Sequence, residues 1–425
     1  MFYTVIVIGG GASGLMAAVT AGGCGARVLL IEKNNSLGKK LLLTGGGRCN
    51  VTNNCSTDEI IANIPGNGKF FYSALSEFDN VDIVDFFESR GVKLKEEDSG
   101  RVFPADDSAQ SILDVFIGEL KKNNVDVIYN EAVSELLTEH GSICGVKCNS
   151  GKTFKTDRVI VATGGKSFPV TGSTGDGYKL IHALGHRITE LYPAEVPLVS
   201  NEDFIKKQTL RAVSLRNIKL SVLNKKGKAV TSHKMDMIFT HFGISGPAAL
   251  RCSTFVRNVK KRENSDFVYM KLDSLPDYTV NEFDKALSIW RKSYPDKSVK
   301  SFLKKLLPER YAIFLANYAK INGQLSIKSL TVSDAEKIFD ALHNFRFKIH
   351  GTLPPEKGFV TGGGADLREI DPKSMESKLV TGLHICGELL DINGYTGGYN
   401  ITASFVSGHA AGSFAAKQMN SKGDF

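Results

Sequence analysis

No Cys-x-x-Cys pair occurs among the seven cysteines of this 425-residue chain, and the count is odd. This argues against a disulfide-stapled secreted scaffold and against a dithiol redox centre. Cys144 and Cys148 lie four apart with no histidine cluster beside them, so no metal site is expected. No apolar run approaches the ~20 residues of a membrane span. No cleavable leader precedes the apolar stretch Tyr3–Ile8, so a cytoplasmic protein without a membrane partner is expected. The formal charge is +8, but there is no long basic run: pairs such as Lys121-Lys122, Lys206-Lys207, Lys225-Lys226 and Lys304-Lys305 are scattered. On that scatter a small-molecule substrate is expected and a nucleic-acid partner is not. Neither an internal repeat nor a low-complexity segment is present, and monomer and homodimer stay equally open.

Glycine, in contrast, is abundant, and many of the 42 glycines are clustered: 9–11, 45–47, 164–165, 362–364 and 397–398. The flanks of these clusters are apolar, which reads as backbone brought close to a ligand, not as flexible linker. The first cluster follows Val5-Ile6-Val7-Ile8, a run suited to a strand buried on both faces. Gly9-Gly10-Gly11-Ala12-Ser13-Gly14 then satisfies G-x-G-x-x-G. A helix pattern with Leu15, Ala18 and Val19 follows, and a second strand, Arg27 to Ile31, ends in Glu32 and Lys33. Gly9 permits the turn, Gly11 admits a pyrophosphate, and Gly14 lets helix and strand pack closely. Ala12 and Ser13 open the helix, whose first-turn amides favour phosphate. Glu32 suits a ribose hydroxyl. Strand, helix, second strand and terminal acid in this order make a dinucleotide site.

Further segments join it as candidates. In the loop 38–53, three glycines precede Arg-Cys-Asn, so Gly46 and Gly47 can wrap an anion, Lys40 and Arg48 can neutralise phosphate, and Asn50 can add a neutral hydrogen bond, with Cys49 alongside. A buried strand over 158–161 runs into Ala162, Thr163, Gly164 and Gly165. A short strand ends in Gly387-Glu388, and Gly397-Gly398-Tyr399-Asn400-Ile401 leads into a helix of small residues.

The opening motif resembles that of glutathione-reductase-like and fumarate-reductase-like FAD flavoproteins. Over nearly its whole length the chain resembles the bacterial aminoacetone-oxidase-like flavoproteins, also called BaiN-like or NAD(P)/FAD-dependent oxidoreductases. Residues 40–53, Thr240 to Pro247, Val360 to Gly364, and Met375 through Gly387-Glu388 to Asn400 carry this resemblance. It implies that the ligand is FAD, with the adenosine ribose on Glu32, the ribityl hydroxyls near Glu388, and the helix after Gly398 facing the flavin. It also implies an α/β architecture: a Rossmann-like FAD-binding domain in two sequence pieces, with an inserted β-rich domain that itself carries a small helical domain. The expected boundaries are 1–190 and 363–425 for the FAD domain, 191–275 and 346–362 for the β-rich insertion, and 276–345 for the helices.

Local patterns agree with that division. Ile218 to Leu223 alternates as a strand and meets a hairpin turn at Asn224 to Lys228. Val299, Phe302, Leu303, Leu306 and Leu307 fall at helical spacing, and Ser333-x-x-Glu336 predicts a capping box.

No second strand–G-x-G-x-x-G–helix unit is visible, so NAD(P)H is expected at most as a transient electron donor. Flavin carries the redox chemistry, and the protein supplies position and electrostatics. His241, in a Thr-His-Phe-Gly turn, and Tyr399 are the candidate catalytic residues. The expected activity is that of an FAD-dependent oxidoreductase acting on a small organic substrate. The alternatives are a reductase of conjugated C=C bonds using NAD(P)H, an oxygen-using amine or aminoacetone-type oxidase, and an RNA-modifying flavoprotein.

Overall fold

The computed structural model describes residues 2–417, so the expected FAD-domain piece 363–425 extends past them at its end. The chain forms two compact units, one from residues 1–193 with 359–425 and the other from residues 194–358.

The first unit is built on a five-stranded parallel sheet in the order Leu383–Ile385, Val159–Val161, Val5–Ile8, Val28–Ile31, Asp126–Ile128. The four strands of the middle and one edge are buried at every residue, as a parallel sheet covered on both faces requires. A three-stranded antiparallel meander, Val133–Glu139, Ser142–Cys148 and Thr153–Lys155, fills the connection between two of these strands. The sheet is thus assembled from both ends of the chain: its outer strand, Leu383–Ile385, comes from the second piece.

The opening helix, Ala12–Gly23, and the closing helix, Tyr399–Lys417, pack together through small residues. A methyl group at Gly408 would be driven into the Ser13 carbonyl, and one at Gly412 into the Ala17 carbonyl. The small-residue pattern of the closing helix is therefore a close backbone approach. Phe405 of this helix meets Phe87 and Phe116 with ring centroids 5.8 and 5.6 Å away, which secures the other side.

The second unit carries a seven-stranded sheet in the order Phe345–Ile349, Val268–Asp273, Ser214–Leu223, Ala229–Phe239, Gly243–Ser245, Leu198–Val199, Gly351–Thr352, with antiparallel neighbours throughout. The expected turn at Asn224 to Lys228 joins its two longest strands. Asn224 Oδ1 accepts the Lys226 and Lys228 amides, both at 3.0 Å. Helices Val280–Ser293, Glu309–Tyr318 and Val332–Asn344 share one hydrophobic core with the sheet, where Phe239, Phe283, Tyr311 and Phe345 are fully buried. The helix over 332–344 is not capped by Ser333. Its N-cap is Thr331, which accepts the Asp334 amide at 3.1 Å, because the chain turns helical two residues earlier than the Ser-x-x-Glu pattern implies. Thr331→Ala is expected to lower stability by about 1 kcal/mol, whereas Ser333→Ala should be neutral; chemical denaturation of the two variants distinguishes these caps.

Candidate functional site

The site grows from the end of the first strand. Gly9 has φ +103°, and a methyl group at Gly14 would collide with the Gly9 carbonyl. No side chain caps the opening helix, and its ladder begins with Leu15 N–H on the Gly11 carbonyl at 2.8 Å. The amides of Ala12, Ser13 and Gly14 are therefore the orphan donors of a helix N-terminus. A Cβ at Gly11 would meet nothing within 4 Å, and the same holds at Gly46. These openings beside undirected donors are the shape and charge that a diphosphate needs.

Glu32 is buried at the end of the second strand. Its carboxylate accepts Gly10 N–H at 2.7 Å through one oxygen, and Asn34 N–H and Nδ2 at 2.7 Å through the other. A carboxylate has about four acceptor positions, so room is left for a ribose hydroxyl. Lys33 points elsewhere, onto Asp176 and Thr174 at 2.6 Å.

Lys40 and Glu388, 348 positions apart, form an ion pair at 2.6 Å. Lys40 also donates to Ser167 Oγ at 2.7 Å. Glu388 further accepts from Ser167 Oγ at 2.8 Å and Thr361 N–H at 2.7 Å. Burial alone would raise the Glu388 carboxyl. The Lys40 ammonium and these donors prevail and hold it below the ordinary glutamate value. Gly165 sits against this cluster: a Cβ there would be 3.0 Å from the Glu388 carboxyl carbon. Gly387, with φ +72°, abuts Ser13 and donates to Ser407 Oγ at 3.0 Å. Beside Gly164, Thr163 Oγ1 is buried with no hydrogen-bond partner among the described residues. An orphaned hydroxyl of this kind is a position for a bound polar group. The first unit thus fits FAD: open cradles at Gly11 and Gly46, free helix amides, the Glu32 carboxylate and the Thr163 hydroxyl.

Other candidates have different partners. Arg48 forks onto Glu97 at 2.7 and 3.3 Å, reaches Asp107 at 3.2 Å and lies over the Phe103 ring at 4.1 Å. Its charge is spent on carboxylates, and its place in the site is to brace the loop. Cys49 is fully buried with φ +59°, and burial pushes its thiol up to about 12. It is a packed cysteine, not a nucleophile. Asn50, with its carboxamide turned to satisfy both ends, accepts Gly398 N–H at 2.9 Å and donates to Thr52 and Val102 carbonyls. Asn53 donates to the Gly397 carbonyl at 2.9 Å, and Thr52 meets Thr402 at 2.8 Å. The loop 45–53 is thereby tied to the start of the closing helix around Gly397 (φ +130°) and Gly398 (φ +103°). Asn400 is turned back on its own loop, accepting Gly394 N–H and donating to its carbonyl at 2.8 Å, with Ile401 half-buried behind it. Tyr399 is buried, and the Cys55 thiol hydrogen-bonds with it. Gly47 (φ +91°) ends the loop's short helix with its amide on the Thr44 carbonyl.

His241 belongs to the second unit. It is exposed in the turn before Gly243–Ser245, edge-on to Phe242 at 5.0 Å. Sequence reasoning missed Ser167, Thr361 and Cys55. Thr361 lies within the recognised segment Val360 to Gly364 and the other two beside one, each a small polar residue with nothing local to give it a role.

One further cluster has the outline of a nucleophile relay. His186 Nε2 meets Ser377 Oγ at 2.8 Å and its Nδ1 meets Glu369 at 3.1 Å. Yet His186 is fully buried, and Ser377 Oγ accepts the Leu379 and Val380 amides at 3.0 Å. With its lone pairs taken, the hydroxyl ties chain segments together instead of attacking a substrate. Among the described residues no group of side chains suits a metal ion, and no helix is long and apolar enough to cross a membrane.

Comparison with known proteins identifies relatives of the chain. Residues 3–414 match the family described as HI0933-like protein Rossmann domain. A ribosomal RNA dihydrouridine synthase from Escherichia coli (strain K12) is 32% identical over 410 residues, 96% of each chain. A 3-dehydro-bile acid delta(4,6)-reductase from Clostridium scindens is 30% identical over 401 residues, 92% of this chain and 93% of that one. Among solved structures, the 3-ketosteroid delta1-dehydrogenase from Sterolibacterium denitrificans has a TM-score of 0.53 at 13% identity, covering 98% of this chain and all of the other, a likeness of fold.

Proposed function

From the premise that this chain belongs to the HI0933-like family of FAD-dependent oxidoreductases, we propose that it reduces a carbon–carbon double bond conjugated to a carbonyl. One observation carries this reading. Two relatives matched over nearly the full chain are named for a dihydrouridine product and for a steroid delta(4,6)-reduction, and both names describe saturation of a C=C bond that a carbonyl activates. FAD, held by the free amides at the start of the helix Ala12–Gly23 and by the Glu32 carboxylate, would supply hydride chemistry at such a bond. The chain's own task is to hold the cofactor, exclude water and deliver a proton to the carbon beside the carbonyl. NAD(P)H serves as a visiting donor, consistent with the single dinucleotide motif in the sequence.

Tyr399 and His241 are the candidate proton donors. Tyr399 opens the closing helix next to the Gly397-Gly398 turn, inside the FAD-binding unit. Removing a positioned general acid costs on the order of 10²-fold in rate. Tyr399→Phe is expected to lower turnover by that order while flavin content stays at the wild-type level. His241→Ala is expected to lower turnover by about tenfold or more, again without loss of FAD; normal turnover of either variant removes that residue from the mechanism.

The reading itself is tested by steady-state NAD(P)H oxidation with a panel of conjugated enones and amines. Consumption of NAD(P)H that depends on an enone, with a product two hydrogens heavier and no peroxide, is expected. Amine-dependent peroxide formation without enone turnover would assign an oxidase instead.

A further inference from the structure

The loop of residues 166–176 lies against the FAD site at both ends. It starts three residues after Thr163, and a methyl group at Gly177, just past its other end, would be driven onto the Thr163 hydroxyl. Its first residues are pinned inward. Lys166 and Ser167 donate their amides to Thr361 Oγ1 at 2.7 and 3.1 Å, and Ser167 Oγ donates to Glu388 at 2.8 Å. Phe168 follows with φ +52° and ψ +60°, a left-handed conformation that a bulky side chain seldom takes. A strained residue held in place by its surroundings marks a spot where position matters more than local stability.

An exposed apolar rim results. The Phe168 ring meets that of Phe359 with centroids 5.9 Å apart and planes tilted by 41°. Phe359 is 47% exposed, and Val170, two residues further along the loop, is 83% exposed. Cations stand beside this rim. Lys166 is exposed, and its stem passes Gly175, where a Cβ would lie 3.6 Å from Lys166 Cγ. Lys39 reaches Asn34, which in turn donates to the Thr171 carbonyl at 3.1 Å. The neighbouring carboxylates are engaged: Asp176 by Lys33 and Glu388 by Lys40, each at 2.6 Å, and Glu32 by the Gly10 and Asn34 donors. The rim therefore offers aromatic faces for a planar ring, and beside them two cations that no carboxylate among the described residues neutralises, suited to phosphate.

We propose that this rim is where the visiting NAD(P)H docks, with its dihydropyridine ring against Phe168 and Phe359 and its diphosphate on Lys39 and Lys166. This rests on the reductase reading above and gives its electron donor a site. The ring gives one hydride to FAD, is thereby oxidised by two electrons and leaves as the pyridinium form; the proton that completes the reduction comes from water. A site on an exposed rim, made of two ring contacts and two cations, fits a donor that must depart after each transfer, and it needs no second G-x-G-x-x-G segment.

The test uses the full-length holoenzyme without oxygen, with flavin bleaching followed by stopped-flow against NADPH, NADH and N-methyl-1,4-dihydronicotinamide, which is the ring without diphosphate or adenosine. The wild type is expected to bleach with at least one dinucleotide at a rate that saturates. F359A should raise the half-saturating concentration of dinucleotide and bare ring alike by about tenfold, the order lost when a stacked ring loses its aromatic partner. K39Q/K166Q should raise that of the dinucleotide by about tenfold or more, with a weaker dependence on salt, and leave the bare ring unaffected. Flavin content, and reoxidation of the dithionite-reduced variants by a conjugated enone, should match the wild type. Unchanged half-saturation in both variants would overturn the proposal. So would a loss confined to reoxidation by the enone, which would give the rim to the substrate, and so would a wild type that neither dinucleotide bleaches. Dinucleotide bleaching that is weakened in both variants, but with no reoxidation by any enone, would refute the reductase reading and uphold the docking site.

Discussion

Gly14→Val gives a protein that purifies colourless and unfolds at a lower temperature than the wild type. The cause is steric and local. Gly14 lies on the Gly9 carbonyl, with the Ala162 side chain also within reach of any Cβ placed there. Overpacking of this kind costs about 1–3 kcal/mol or more, and here the obstacle is main chain, which cannot rotate away. Helix and strand must separate, and the helix N-terminus leaves the position from which its amides address a diphosphate. Gly408→Val should act from the other side by forcing the closing helix off the Ser13 carbonyl. Gly11→Ala is the informative contrast. A Cβ there meets nothing within 4 Å, so thermal stability should be kept while flavin binding falls, because the methyl group occupies only ligand space. Visible absorbance of the purified proteins and melting followed by circular dichroism separate the two classes. A Gly11→Ala protein as unstable as Gly14→Val would contradict the assignment of the open cradle.

Lys40→Met removes the cation from a largely buried carboxylate. The side chains of Lys40 and Glu388 are 26% and 16% exposed, so the pair is short of full burial, and the loss is expected at about 2–3 kcal/mol. Its pH dependence carries the sign. In the wild type the Glu388 carboxyl is held below its ordinary value. The pair therefore contributes stability that is fully present above the unfolded glutamate value, about 4.3, and is lost as pH falls through the lower folded one. Without Lys40, burial dominates and raises the carboxyl. The variant's deficit should then be greatest near neutrality and shrink in acid as Glu388 takes up a proton. Urea denaturation of both proteins across that range measures it, and a deficit constant with pH would show that the lost stability is packing alone.

The parts of this molecule that the sequence made legible are those encoded locally. Val5 to Glu32 carries strand, glycine turn, helix, strand and acid in an unbroken stretch, and the two-piece FAD fold follows from it together with the Gly387-Glu388 strand end. What was not legible depends on partners far along the chain. Nothing near Lys40 announces Glu388, and nothing near Arg48 announces Glu97 and Asp107, which claim a guanidinium whose residue type and glycine neighbours suit phosphate. Ser333-x-x-Glu336 had the composition of a cap, but the helix already starts at Val332, so it is the Thr331 hydroxyl that accepts the Asp334 amide. Charge is a third case. Lysines that look scattered along the sequence are sorted by the chain's division into two units, and the turn at Asn224 to Lys228 docks through the Lys225 amide on Glu263 at 3.0 Å.

An anaerobic reoxidation experiment tests the central claim most directly. The purified holoenzyme is reduced with dithionite, freed of excess reductant and mixed with a conjugated enone while the visible flavin band is followed. The yellow band should return at a rate that saturates with the unsaturated substrate, with one double bond saturated per flavin. A reduced enzyme that stays bleached with every enone tried, while its oxidised form is bleached by an amine, would contradict it.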